Sequence, residues 1–300
     1  MTPPTAITAL PVSAALLGES PLWHPDERVL YWVDIPGRQL HRFDPGSTQH
    51  QQWGFDTEPA CCAPLLGGGL LLAMRDGLWR FDVRSGERHA VAAPPYNPAE
   101  QRYNDGKADA QGRFWVGTLD DQRRPQAALY RHADGRTQQL AGGITTSNGL
   151  AFSPDGRTLY WADTKAHAID AFDVEPGDGS LSRRRAFARF TPRADGQPLS
   201  AYGGRPDGAA VDSAGNYWVA MYEGQRLVQL ASDGRLIAEL PLPVRCPTMC
   251  CFGGDDLRTL YITTARERRP ADELAAQPLA GCVLQTRVTV PGLPAHLARL

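Results

Sequence analysis

Two carboxylates and two carboxamides recur in this sequence at one phase of an internal repeat. Glu19 and Asn148 each stand thirteen residues ahead of a tryptophan, Trp32 and Trp161, while Asn104 and Asp207 each stand eleven ahead of Trp115 and Trp218. We assign the two-residue difference to the turn. In a radially repeated fold, equivalent positions of different repeats converge on one axis, so these four oxygen-bearing side chains are expected to meet. Glu19, Asn148 and Asp207 make a hard-oxygen set of two carboxylates and one amide. Such a set suits Ca²⁺, Mg²⁺ or Mn²⁺, and Zn²⁺ or Fe²⁺ can also be held. The seven histidines show no HxH or HExxH spacing, so a nitrogen-rich catalytic zinc site is unsupported.

Turn chemistry alone accounts for Asn104-Asp105-Gly106, Asn148-Gly149 and Asp207-Gly208 taken singly. It does not account for Glu19-Ser20-Pro21, and it does not require four repeats to share a phase. A divalent cation held by two carboxylates is nearly neutralised, so it acidifies bound water weakly and serves better as a Lewis acid on a carbonyl oxygen. Asp207, beside it, is placed to take a proton from attacking water. Hydrolysis of an activated ester is the expected chemistry. Arg102 and Asn104, in Arg102-Tyr-Asn-Asp-Gly-Lys107, can present donors to the hydroxyls of a polyol. Lys107 is read as an ion-pair partner of Asp105 or Asp109.

The elements that must position these groups are short strands. Strand signals recur at Leu30 to Asp34, Leu70 to Met74, Phe114 to Gly117, Leu159 to Asp163, Tyr217 to Met221 and Leu260 to Thr264, at intervals of 40 to 58 residues. Most are followed by a second strand and a turn dipeptide such as Pro45-Gly46 or Asp233-Gly234. The interval matches one four-stranded propeller blade, so the fold class is all-β: a six-bladed β-propeller, one domain over residues 1–300, with the metal site in its central channel. Helical periodicity is confined to Ala271 to Ala276. Closure needs the chain ends to share a blade, for which Ile7 to Leu17 and Cys282 to Val290 are the candidates. By the same count, the two blades that lack a polar residue place Ala60 and Met249 at the axis as walls.

Composition excludes several classes of partner. Lys+Arg 31 against Asp+Glu 33 leaves a net charge of −2, so no nucleic acid and no membrane surface is expected. The basic runs Arg183 to Arg185 and Arg266 to Arg269 read as solvated loops. No stretch has bilayer-spanning length and no basic leader precedes the N-terminal residues, so a cytoplasmic protein is expected. Six cysteines without zinc-ribbon spacing read as buried thiols. A monomer is the default for a closed propeller.

The segments Gly18-Glu-Ser-Pro-Leu-Trp23, Arg102 to Lys107, Ser147-Asn-Gly-Leu150, Pro206-Asp-Gly208, Cys250 to Gly254 and Tyr261 to Arg266 together resemble the SMP-30/gluconolactonase/LRE-like family, which includes regucalcin and sugar lactonases. The resemblance implies a six-bladed propeller with one divalent metal, Ca²⁺ foremost, on the residues matching Glu19, Asn148 and Asp207. It implies substrate contacts from Arg102 and Asn104 and a base at Asp207. Gln122 falls where some members have Glu, with Asp120 and Asp121 beside it, so Asp121 and Gln122 are further candidates for contacting substrate. The expected activity is hydrolysis of an aldonolactone to its aldonic acid. Two rivals stand beside it: a hydrolase of other lactones or organophosphates, which an apolar channel mouth would favour, and a non-catalytic calcium-binding propeller.

Overall fold

β-Branched and aromatic runs bounded by Gly, Pro and Asp form six four-stranded antiparallel sheets in the computed structural model, which describes residues 6–300. The sheets follow the chain as blades one to six. Their first strands are Gly18–His24, Pro59–Pro64, Gln101–Ala108, Ser147–Phe152, Arg205–Val211 and Pro247–Gly253. Each packs against the first strands of the blades on either side, and the strand of blade six packs against that of blade one, so these six innermost strands ring the axis. The expected six-bladed propeller is the observed fold. Ala271–Ala276 is helical, as expected.

Six apolar clusters, one between each pair of neighbouring blades, hold the ring together. The tryptophans of the repeat belong to them: Trp32 packs between blades six and one, Trp115 and Trp161 between three and four, and Trp218 between five and six. Truncating a buried tryptophan costs roughly 3 to 5 kcal/mol, and adjacent sheets share no ladder hydrogen bonds, so this packing fixes where one innermost strand sits against the next. Closure occurs as anticipated but with a shorter segment. Thr8–Ala9 pairs with Leu284–Arg287 as the outermost strand of blade six, in the register Thr8 to Gln285 and Ala9 to Leu284.

Every innermost strand carries a β-bulge. In blades one, three, four and five two residues stand opposite one on the neighbouring strand: Ser20-Pro21 against Trp32, Asn104-Asp105 against Gly117, Gly149-Leu150 against Trp161, and Asp207-Gly208 against Ala220. A bulge bends the strand and re-aims its side chains, which here sets the polar residues at the axis. The repeat is therefore phased differently from the sequence reading. Glu19 and Asn148 immediately precede their bulges, whereas Asn104 and Asp207 lie in theirs. Trp32 and Trp161 stand opposite the bulge, while Trp115 and Trp218 sit two residues nearer the hairpin. The thirteen and eleven intervals arise from these offsets and not from the turn alone. In blade six the bulged residue is Thr248, whose hydroxyl donates to Gly18 O at 2.5 Å, and in blade two it is Ala60. Neither Ala60 nor Met249, expected as walls, lines the cavity around the polar residues; Met249 lines a cavity at the other ends of these strands.

Gly149 holds φ at +60°, and a Cβ there would collide with Tyr217 Oη and press on the Asp207 carbonyl. Tyr217 Oη donates to Gly149 O at 2.8 Å, tying blade four to blade five at that point. Gly149→Ala is expected to destabilise the fold by about 1–3 kcal/mol through left-handed strain and overpacking, read as a lowered thermal midpoint; an unchanged midpoint would contradict this role.

Candidate functional site

The first residues of the innermost strands open into a cavity of about 360 Å³, whose wall includes Glu19 from blade one, Arg102 and Asn104 from blade three, Asn148 from blade four and Asp207 from blade five. The four polar residues of the repeat meet there. A hydrogen-bond relay links three blades. Arg102 Nη1 donates to Asn104 Oδ1 at 2.7 Å, Asn104 Nδ2 donates to Asn148 Oδ1 at 2.7 Å and to Ser147 O at 2.8 Å, and Asn148 Nδ2 donates to Asp207 Oδ1 at 2.5 Å and to Thr164 Oγ1 at 2.8 Å. The guanidinium needs an acceptor and the Ser147 carbonyl needs a donor, which fixes the Asn104 amide and in turn turns Asn148 Oδ1 towards Asn104. Asn148 Oδ1 keeps a second lone pair.

The carboxylates face one another without cationic partners. Among the described residues neither Glu19 nor Asp207 makes an ion pair, and the Glu19 side chain accepts only the following amide, Ser20 N, at 3.2 Å. Burial holds the Glu19 carboxyl far above the ordinary range, with Asp207 and then Asp105 adding to it. Its remaining surface is cavity wall rather than open solvent, so desolvation dominates even though the residue is not fully covered. Burial likewise pushes Asp207 up to about 8; Arg205 opposes this and Asp105 reinforces it. Asp105, read in the sequence as part of a turn and as a candidate partner of Lys107, is a third buried carboxylate, raised to about 6 by burial. Its Oδ2 accepts Leu150 N at 2.7 Å and its Oδ1 has no hydrogen-bond partner.

A divalent cation fits this donor set. Glu19 and Asp207 supply two carboxylates that repel each other and make no ion pair among the described residues, and Asn148 Oδ1 supplies a neutral oxygen. The set is poor in classical ligands: among the described residues no three or more of His, Cys, Asp and Glu group as a metal site. The amide oxygen is what completes it, in keeping with a hard cation.

The remaining sequence candidates fall elsewhere. Asp120 is fully buried and anchors a turn, accepting Gln122 N and Arg124 N, each at 3.0 Å, as well as the Arg124 guanidinium. Asp121 is held outward by Arg75 Nη1 at 2.9 Å, Gln122 is exposed, and neither is part of the cavity wall. Arg123 is. Lys107 makes no ion pair with Asp105 or Asp109; its Nζ donates to Ala209 O at 3.3 Å, and Asp109 pairs with Arg113 instead. Lys107 belongs to a second, mainly apolar cavity of about 290 Å³, lined by the far ends of the innermost strands and by Leu293 to His296.

Of the basic runs, Arg266 to Arg269 is a loop as expected, with Arg266 and Arg268 exposed, whereas Arg183 to Arg185 is not. Arg183 to Arg185 lie on the outermost strand of blade four, paired with Asp173 and Asp170. Arg269 is enclosed by Glu223 and Glu273 at the cavity, and Arg268 stands at its rim. No periodic signal marked Arg123, Lys165, Arg205 or Arg268, because they reach the mouth from connections and strand ends rather than from the repeated position.

The buried carboxylates set a pH dependence. Asp207 binds its proton more tightly folded than unfolded, so its stabilising contribution is full below about 4, the ordinary carboxylate value, and is lost as pH rises to about 8. Glu19 acts in the same direction. Divalent metal added to chelator-stripped protein should therefore raise the thermal midpoint more at pH 8 than at pH 5, since ligation requires the deprotonated forms. A shift that is equal at both pH values, or larger at pH 5, would contradict the assignment.

Comparison with known proteins agrees with the six-bladed fold. Residues 17–266 match the model of the SMP-30/gluconolactonase/LRE-like region. A 6-deoxy-6-sulfogluconolactonase of Pseudomonas putida is 44% identical over 284 residues, covering 93% of each chain. The calcium-binding protein regucalcin of Agrobacterium tumefaciens superposes with a TM-score of 0.92 at 27% identity, over 99% of this chain and 98% of that one. A gluconolactonase of Xanthomonas campestris gives 0.75 at 25% identity, over 96% and 90%. With the repeat, the blade count and the axial polar cluster in place, this chain belongs to the SMP-30/gluconolactonase/LRE-like family.

Proposed function

We propose that the protein is a metal-dependent hydrolase of sugar lactones, with Glu19, Asn148 and Asp207 holding one divalent cation, Ca²⁺ first among Zn²⁺, Mn²⁺, Mg²⁺ and Fe²⁺. The observation that carries this reading is the convergence of two buried carboxylates that make no ion pair among the described residues and an oriented amide at one cavity. When bound, the cation supplies Lewis acidity to the lactone carbonyl oxygen.

The reaction adds the oxygen of water to the lactone carbonyl carbon and breaks the bond from that carbon to the ring oxygen. The proton that leaves the water ends on the ring oxygen, which becomes a hydroxyl of the open aldonic acid. Asp207 is the carboxylate placed to take that proton and pass it on. Arg102 commits Nη1 to Asn104 and to Tyr103 O at 2.9 Å, which leaves Nε and Nη2 for substrate oxygens. Asn104 orients both Arg102 and Asn148, so it links the sugar contact to the ligand set.

Hydrogen-bonding and charged groups dominate the cavity wall; Leu17 and Leu119 are its only aliphatic members among the described residues. That lining favours a polyol over the apolar organophosphates of the first rival. The non-catalytic rival predicts metal binding without turnover. The Pseudomonas relative acts on a sulfonated gluconolactone, so such a compound belongs in the substrate panel with gluconolactone, arabinonolactone and xylonolactone.

A pH-indicator assay on stripped and reloaded protein, corrected for spontaneous opening, tests the reading. Metal-dependent turnover of at least one aldonolactone is expected. Asp207→Asn should cut kcat by about 10²–10⁴-fold, the range for loss of a general base, with the fold retained. Asn104→Ala should chiefly raise KM. An Asp207→Asn rate equal to that of the unaltered protein would remove Asp207 from the mechanism, and a panel with no turnover would favour the non-catalytic rival.

A further inference from the structure

The cavity carries more positive charge than a neutral sugar ring calls for. Six cationic side chains line it: Arg102, Arg123, Lys165, Arg205, Arg268 and Arg269. Four carboxylates do so, and two of these, Glu19 and Asp207, are the proposed ligands of a cation and cannot also neutralise the mouth. Of the other two, Glu223 is shared between Arg205 at 3.3 Å and Arg269 at 3.0 Å, and Glu267 meets Arg268 at 3.4 Å in an open position where such a pair contributes little.

Two of the six are the least compensated. The Lys165 ammonium has neither an ion pair nor a hydrogen bond among the described residues. Arg123 makes no ion pair among them either, and its one side-chain hydrogen bond runs to Thr146 Oγ1 at 3.3 Å. Like-charged neighbours surround Arg123: after desolvation, Arg205 and Arg268 are the largest causes holding its pKa below the ordinary arginine value. The backbone holds it there under strain. Arg123 sits at φ +60° in the turn pinned by the buried Asp120 carboxylate, and Arg268 sits at φ +57°. Left-handed non-glycine residues persist where surrounding structure over-determines them, often at ligand sites. Here the same turn sends Asp121 outward to Arg75 and Arg123 inward over the cavity. A fold that needed only to bind hydroxyls would gain nothing from gathering more cationic side chains than carboxylates at the mouth.

We propose that Arg123, Arg205 and Arg268, with Lys165, form an anion subsite at the mouth, and that the lactone opened at the metal site carries a fixed negative group, a sulfonate or phosphate, on the part of the sugar remote from the carbonyl. The inference rests on the lactonase reading and names its substrate class. Guanidinium groups suit the several oxygens of such a group. With the carbonyl directed to Asp207 and the anion to Arg123, the ring has one orientation in the cavity. Charge at the mouth also steers an anionic substrate inward.

The test compares kcat/KM for glucono-1,5-lactone, 6-phosphogluconolactone and 6-deoxy-6-sulfogluconolactone, for the protein as it stands and for Arg123→Gln and Arg268→Gln. At least one anionic lactone should exceed the neutral one by tenfold or more, and each variant should lower that ratio, Arg123→Gln by at least tenfold. Preference for the sulfonate or for the phosphate identifies the group. Calorimetric binding of the open 6-deoxy-6-sulfogluconate and 6-phosphogluconate gives a readout apart from turnover: the preferred anion should bind, and bind more weakly to both variants. The side chain of Arg268 is 83% exposed, so its variant keeps the test sound if Arg123→Gln fails to fold. A neutral lactone turned over as well as either anionic one, or ratios unchanged in the variants, would overturn the subsite while leaving the lactonase reading intact. Turnover of none of the three, with no binding of either open acid, would overturn both.

Discussion

Glu19 and Asp207 meet at one cavity and Asp105 is buried near them, and none of the three makes an ion pair among the described residues. Burial raises the proton affinity of all three; Asp207 and Asp105 add to it at Glu19, and Asp105 adds to it at Asp207. Like charges out of water are costly unless protons or a cation compensate them. That cost is borne by the ring. Six inter-blade clusters hold the innermost strands at fixed separations, so the carboxylates cannot relax apart without unpacking tryptophans such as Trp32 and Trp161. The closeness of these carboxylates is thus built into the packing rather than into any single loop.

The bulges convert that packing into a site. A regular strand would send successive side chains to opposite faces. The extra residue in each innermost strand re-aims the chain where blades one, three, four and five carry Glu19, Asn104, Asn148 and Asp207. Ser20 at φ +50° and Gly149 at φ +60° are the matching positions that follow Glu19 and Asn148. Asn104 then fixes the Asn148 amide through a relay that begins at Arg102. The proposed metal ligand Asn148 and the proposed substrate contact Arg102 therefore share one chain of hydrogen bonds.

The parts legible in the sequence were those set by periodicity. The six strand signals proved to be the second strands of the blades, and the polar repeat identified the axial cluster with no distances known. The innermost strands themselves carried no alternating pattern. Segments such as Pro59–Pro64 and Arg205–Val211 are rich in Pro and small residues and mostly buried, so they give no period-two signal, and Asp207-Gly208 within the second matches turn chemistry. Asp105 was hidden for the same reason. Arg123 and Arg268 were illegible because their placement depends on turn conformations, one of them anchored by the Asp120 carboxylate. Asp121 and Gln122, chosen by position along the chain, lost to Arg123 because that turn reverses which side chain faces inward.

The most direct measurement is anomalous diffraction from crystals of stripped protein soaked in Mn²⁺. A single strong peak bounded by the carboxylate oxygens of Glu19 and Asp207 and by Asn148 Oδ1 is the predicted result. Absence of a peak there at saturating Mn²⁺, or a dominant peak elsewhere in the molecule, would contradict the account.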